Sequence, residues 1–244
     1  MKTTLFISLL AVLCFATGHA QENNCVNCMK ADNGYINLFI GPGIALGDFG
    51  SKDIGNNSSG FAEKGYNVEL NGGYHLTKSL DLSAKCIYSL FNYDVSGMLS
   101  SYSVKYPGTT WKSLGREWEL IGGLAGFSYL QPLGKNFIAN VKVLGGVMQS
   151  TAPELTLKSS DGASFTESKR SASSFAYLFS VGGTYPIGNL IDLAGNIEYI
   201  STAPTFNNVT QSFNPSVDSP VTTTSNIKQN IGMLAFDIGV RLKF

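Results

Sequence analysis

Period-two alternation is the feature that most constrains this chain, and it is cleanest over the last residues. Leu234, Phe236, Ile238, Val240, Leu242 and Phe244 alternate with Ala235, Asp237, Gly239, Arg241 and Lys243. Successive side chains of a strand point to opposite faces, so this spacing makes one face wholly apolar and leaves the other polar or small. Upstream, Tyr66, Val68, Leu70, Tyr74 and Leu76 alternate with Asn67, Glu69, Asn71 and His75. In the same way Leu80, Leu82, Ala84, Cys86, Tyr88 and Leu90 alternate with Asp81, Ser83 and Lys85. These two runs meet at Thr77-Lys78-Ser79, the turn of a hairpin. Two further hairpins join strands near 116–131 and 136–149 at Pro132-Leu133-Gly134-Lys135, and strands near 172–185 and 190–201 at Pro186-Ile187-Gly188-Asn189. A first strand at 34–47 and a last at 227–244 complete eight.

The connections alternate in length. Those at 48–64, 95–115, 150–171 and 202–226 are long, and those at 77–79, 132–135 and 186–189 are short. An up-and-down meander sorts them automatically, long loops to one end and short turns to the other. The predicted fold class is therefore all-β, an eight-stranded antiparallel up-and-down β-barrel over 34–244. With 17 basic and 17 acidic residues the formal net charge is zero, which gives no basic excess for binding nucleic acid.

Residues 1–20 read as a secretory signal peptide: Lys2, an apolar run at 5–16, then the small-residue site Gly18-His19-Ala20. Residues 21–33 then form a short periplasmic N-terminal segment. No later stretch approaches the ~18 consecutive apolar residues of a membrane helix, so the chain is either a water-soluble barrel or a membrane barrel. A secreted lipocalin-like binder would carry the same alternation with its apolar face inward. The aromatic residues argue for the membrane. Tyr74, Phe137, Tyr185 and Phe244 fall near the short-turn end of the apolar faces, and Tyr66, Tyr88, Trp118, Phe175 and Tyr199 near the other end. Two girdles bracketing an aliphatic band suit headgroup-level anchoring and make the barrel transmembrane. In the fourth strand Phe127 and Tyr129 lie on the opposite face from Trp118, Leu120 and Leu124.

On these residues the chain resembles the small eight-stranded outer-membrane barrels of Gram-negative bacteria, the OmpA/OmpX-like group. Phe236, Ile238, Val240, Leu242 and Phe244 match the alternating, Phe-terminated final strand of that family. The Gly-rich first strand, Gly41-Pro42-Gly43 running into Gly47-Asp48-Phe49-Gly50, is a second likeness. The resemblance implies location in the bacterial outer membrane, contact with its lipid, and recognition of the five terminal positions by the barrel-assembly machinery. It leaves no residues for a peptidoglycan-binding domain.

His75 is the one histidine outside the signal segment. Barrel-borne enzymes that resemble this architecture use a histidine near the extracellular end, whereas His75 abuts a short turn, so it reads as a lumen or rim side chain and no catalysis is expected. The inward faces carry Glu69, Lys85, Lys142, Glu198 and Asp237 at similar heights. In an eight-stranded barrel the interior is only wide enough for side chains, so these charges are expected to pair as a lumen ion-pair network, with a narrow, porin-like path for ions or very small solutes as the alternative. Asp81, Asp192, Arg241 and Lys243 are expected to be hydrated at the rim. Cys25 and Cys28 form a Cys-x-x-Cys for which a local disulfide is the simpler reading, and Cys86 faces lipid. The long loops, rich in Ser, Thr, Asn, Gly and Tyr, read as solvated surface loops able to meet an extracellular ligand. No phosphate loop, metal-ligand cluster or nucleophile elbow appears in the sequence, so no cofactor and no metal are expected. The function expected is structural or surface-interacting.

Overall fold

A computed structural model describes residues 33–244 apart from 54, 57, 106–110, 116, 135 and 215–218. The signal-peptide assignment, most of the 21–33 segment and the Cys25/Cys28 pair lie outside the described residues.

Eight antiparallel strands close into a barrel. They are β1 (Gly34–Leu46), β2 (Ala62–His75), β3 (Leu80–Tyr93), β5 (Trp118–Leu133), β6 (Phe137–Ala152), β9 (Arg170–Pro186), β10 (Ile191–Thr202) and β13 (Ile231–Lys243). Each strand pairs with the barrel strand before it in the chain. Closure is made between first and last, from Tyr35 opposite Lys243 to Leu46 opposite Gly232. The register obeys the alternation: Leu38, Ile40, Val143, Val147, Ile197 and Ile238 face outward and are exposed, while Asn37, Asn67, Glu69, Lys85 and Glu198 face inward and are buried. Soluble monomers rarely leave so continuous an aliphatic band in water, and a band of this extent marks a membrane surface. The outward band is lipid-facing and the barrel is a membrane barrel. Cys86 is exposed on that outer face. Among the described residues no helix is long and apolar enough to cross a bilayer. Tyr74, Phe137, Tyr185 and Phe244 stand exposed at the short-turn rim, and Tyr66, Tyr88 and Phe175 are exposed toward the other.

Trp118 corrects the girdle. It points into the barrel, 2 % exposed, and its indole N–H donates to the Gly60 carbonyl at 2.8 Å. The mixed facing of the fourth strand is thereby explained: Phe127 and Tyr129 meet lipid, while Trp118, Leu120 and Leu124 fill the lumen.

Beyond the first, which holds only turns among its described residues, the long connections are not irregular loops. They carry α1 (Val95–Lys105) and five more strands, β4 (Trp111–Gly115), β7 (Leu155–Ser159), β8 (Ser164–Glu167), β11 (Thr205–Asn214) and β12 (Val221–Lys228). These pair in the order β12-β11-β8-β7-β4 into a second sheet at the long-loop end. β12 is exposed on both faces over most of its length. With neither face buried, no apolar alternation is imposed on its sequence, and its Thr/Ser run reads as loop. α1 starts where Asp94 Oδ1 accepts the Gly97 amide at 2.8 Å and the Ser96 hydroxyl at 2.8 Å, a side-chain N-cap.

Candidate functional site: the lumen and its charged layer

The lumen is layered along the barrel axis. Toward the short-turn end it is polar, and toward the long-loop end it is apolar, filled by Ile87, Phe91, Leu120, Leu144, Met148 and Leu178 and topped by Phe49, Trp118 and Phe206. The three rings of that lid pack at 5.4 Å (Phe49 to Trp118) and 6.1 Å (Trp118 to Phe206) between centroids. The expectation of large apolar residues only on the outer face missed this layer. The displaced face of Trp118, Leu120 and Leu124 was its signal in the sequence.

Beneath the apolar layer lie the charges. Inward positions of β2, β3, β10 and β13 bring Glu69, Lys85, Glu198 and Asp237 together. Lys85 Nζ donates at 2.5 Å to Glu69 Oε2 and at 2.5 Å to Glu198 Oε2, with both side-chain pairs fully buried. Glu198 Oε1 also accepts from the Ser180 hydroxyl at 3.1 Å, and Asp237 Oδ1 accepts from Asn67 Nδ2 at 2.8 Å. Small residues on β1 make room: a Cβ at Gly41 would collide with the Phe236 carbonyl and lie 2.6 Å from Asp237 Oδ1. Lys142 sits at the same level but, among the described residues, has no ion-pair partner; its Nζ lies 5.5 Å from the Phe39 ring centroid, with Lys85 Nζ at 5.9 Å from the same ring. Asp237 likewise meets an amide instead of a lysine. Oxygens of Glu69, Glu198 and Asp237 lie within 4.8 Å of one another, close enough by donor type to share a metal ion. The Lys85 ammonium already stands against two of the three and takes the place of a cation there.

A second polar layer closes the short-turn end, and here the hydrated-rim expectation is corrected. Asp81, Asp192 and Arg241 are buried. Asp81 Oδ1 pairs with His75 Nδ1 at 2.6 Å, Asp192 with Lys243 at 2.8 Å, and Arg241 Nε donates to Asn37 Oδ1 at 3.0 Å with its guanidinium 3.9 Å from the Tyr35 ring centroid. Converging side chains shield these groups because the barrel is narrow even at its mouth. Phe236, Ile238, Val240 and Leu242 on β13, and Phe244 just past its end, all face outward and are exposed.

No family model matches the chain, and no curated protein sequence matches it. Solved structures do. A major outer-membrane protein of Thermus thermophilus is similar at 13 % identity, covering 86 % of this chain and 99 % of that one with a TM-score of 0.50. The chain has the fold of a small outer-membrane β-barrel. Weaker likenesses are to the surface protein A of Neisseria, at 16 % identity over 87 % of this chain and 97 % of that one with a TM-score of 0.44, and to the attachment invasion locus protein of Yersinia pestis. The latter is 11 % identical over 86 % of this chain and 99 % of that one, with a TM-score of 0.40.

Proposed function

We propose that the protein is an integral component of the bacterial outer membrane with a structural or surface-interaction role and no catalysis, its barrel serving as the anchor of an extracellular platform. The observation that carries this reading is the second sheet, built on a lumen blocked by a buried charged layer and an apolar layer. A channel needs a continuous wet path, and the apolar layer interrupts it. Against catalysis, His75 is paired with Asp81 at the short-turn rim, the end opposite the sheet. Lipid partners follow from the outward band, and the outward-facing positions of β13 are the proposed contact for the barrel-assembly machinery.

Planar-bilayer recording of the purified protein tests the reading, together with adhesion of cells that display either the intact chain or one with 155–167 and 205–228 replaced by short Gly/Ser turns. The expected result is no stepwise conductance, with adhesion lost on trimming. Steady single-channel steps that change on replacing Lys85 or Lys142 would establish the narrow-channel alternative instead.

A further inference from the structure

The space between the second sheet and the barrel lid is hollow. A cavity of about 390 Å³ lies there, within the roughly 300–1,000 Å³ typical of small-molecule sites. Phe61, Met98, Trp118, Leu155 and Phe165 give it an apolar, largely aromatic lining. Phe61 is held with φ at 50°, a left-handed conformation uncommon for an aromatic residue, between hydrogen bonds to Ser51 and Asp94.

The polar lining is uneven. Its charged members are Arg170, Lys228 and Glu167, two cations against one carboxylate. Glu167 is fully engaged, ion-paired through Oε1 with Arg170 and accepting from Gln211 Nε2 through Oε2 at 2.7 Å. Arg170 is not. Its side chain is 14 % exposed, its guanidinium lies 5.2 Å from the Phe206 ring centroid, and its Nε is a buried donor with no hydrogen-bond partner among the described residues. A buried guanidinium with a donor to spare beside an aromatic ring favours a second, planar acceptor, and the carboxylate is the group whose geometry matches its fork.

We propose that this cavity binds a small aromatic carboxylate from the extracellular side, its ring against Trp118 and Phe165 and its carboxylate on Arg170. Exposed Asn56, Ser225, Asn226 and Lys228 belong to the lining and open it to solvent. The Phe49, Trp118 and Phe206 lid closes the side toward the lumen, so the ligand is captured and not passed through. The proposal stands whether or not the platform adheres to other surfaces.

The test uses the full chain in lipid nanodiscs, carrying Trp111→Phe so that Trp118 is the one tryptophan left of the two. Phenylacetate and 2-phenylethanol, which share a ring and differ in the carboxylate, are titrated against its fluorescence, with empty nanodiscs correcting for partition into lipid. Phenylacetate is expected to saturate and to bind about tenfold more tightly than the alcohol, an advantage that Arg170→Gln removes. Because that substitution also breaks an ion pair and can loosen the segment, Glu167→Gln is the second variant. It keeps the guanidinium, frees its occupied side and is expected to tighten phenylacetate binding several-fold. Equal response to both probes, absence of saturation, or weaker phenylacetate binding in the Glu167→Gln protein would overturn the proposal.

Discussion

Lys85 and Lys142 face the same lumen and hold unlike positions in it. Lys85 bridges Glu69 and Glu198, so truncating it leaves two buried carboxylates without a counter-charge. Breaking a buried pair in this way costs roughly 3–5 kcal/mol, whereas replacing the whole group by neutral side chains is far cheaper. Lys85→Met is therefore expected to lower the unfolding free energy of the protein in lipid vesicles, taken from its urea titration, by an amount in that range and to lower the midpoint with it, and Glu69→Gln with Glu198→Gln added is expected to restore most of it. Lys142→Met, which removes a cation with no ion-pair partner among the described residues, is expected to change the midpoint little. Tryptophan fluorescence during unfolding reports all three. A Lys85→Met protein as stable as the parent would mean that water, and not Lys85, solvates the two glutamates.

At the scale of elements, the contrast is between strands fixed by burial on one face and elements fixed by local capping. α1 belongs to the second kind: Asp94 caps it, and Lys52 pairs with the same carboxylate while also bonding Glu63 at 3.0 Å. Burial raises the Asp94 pKa, but the Lys52 ammonium and the Gly97 and Ser96 donors outweigh it and hold the group below its ordinary 3.8. The hydrogen bonds from Lys52 to Asp94 and Glu63 hold its own pKa above 10.5. A depressed carboxylate stabilises above its unfolded pKa and stops doing so as pH falls through the folded value; a raised lysine stabilises below 10.5 and stops as pH rises beyond it. Amide-exchange protection of 95–105, corrected for intrinsic rates, is thus expected to be flat from about pH 5 to about pH 9 and to fall once Asp94 protonates. Asp94→Ala should remove about 0.5–2 kcal/mol of that protection at neutral pH. The same contrast decides what could be read from sequence. The barrel strands are legible because lipid on one side and a narrow lumen on the other force the alternation, which also places Glu69, Lys85, Glu198 and Asp237 inward. Nothing comparable marks α1 or β12, since a cap is a matter of one carboxylate and an exposed strand carries no pattern. Trp118 was given the wrong face although its spacing from Phe127 and Tyr129 marks it as inward, whereas Arg170 was missed because the second sheet that covers it arises from long-range packing, which residue spacing does not encode.

On the scale of the whole molecule, the barrel and the second sheet are held together by different hydrogen bonds. The barrel seals itself through β1 and β13 and has no open edge, while the sheet pairs its own strands in a separate ladder. A ladder that closes on itself has no end from which detergent can peel it, and the aliphatic band outside is already matched to a hydrocarbon solvent. The protein extracted from membranes is therefore expected to resist SDS at room temperature and to change its gel mobility only after boiling. The chain with 155–167 and 205–228 replaced by short turns is expected to keep that heat-dependent shift, because none of the β1–β13 pairs passes through the removed residues. Loss of the shift on trimming would mean that the second sheet is part of barrel closure. Extraction of the intact protein into buffer without detergent would mean that the outward band is covered by something other than lipid.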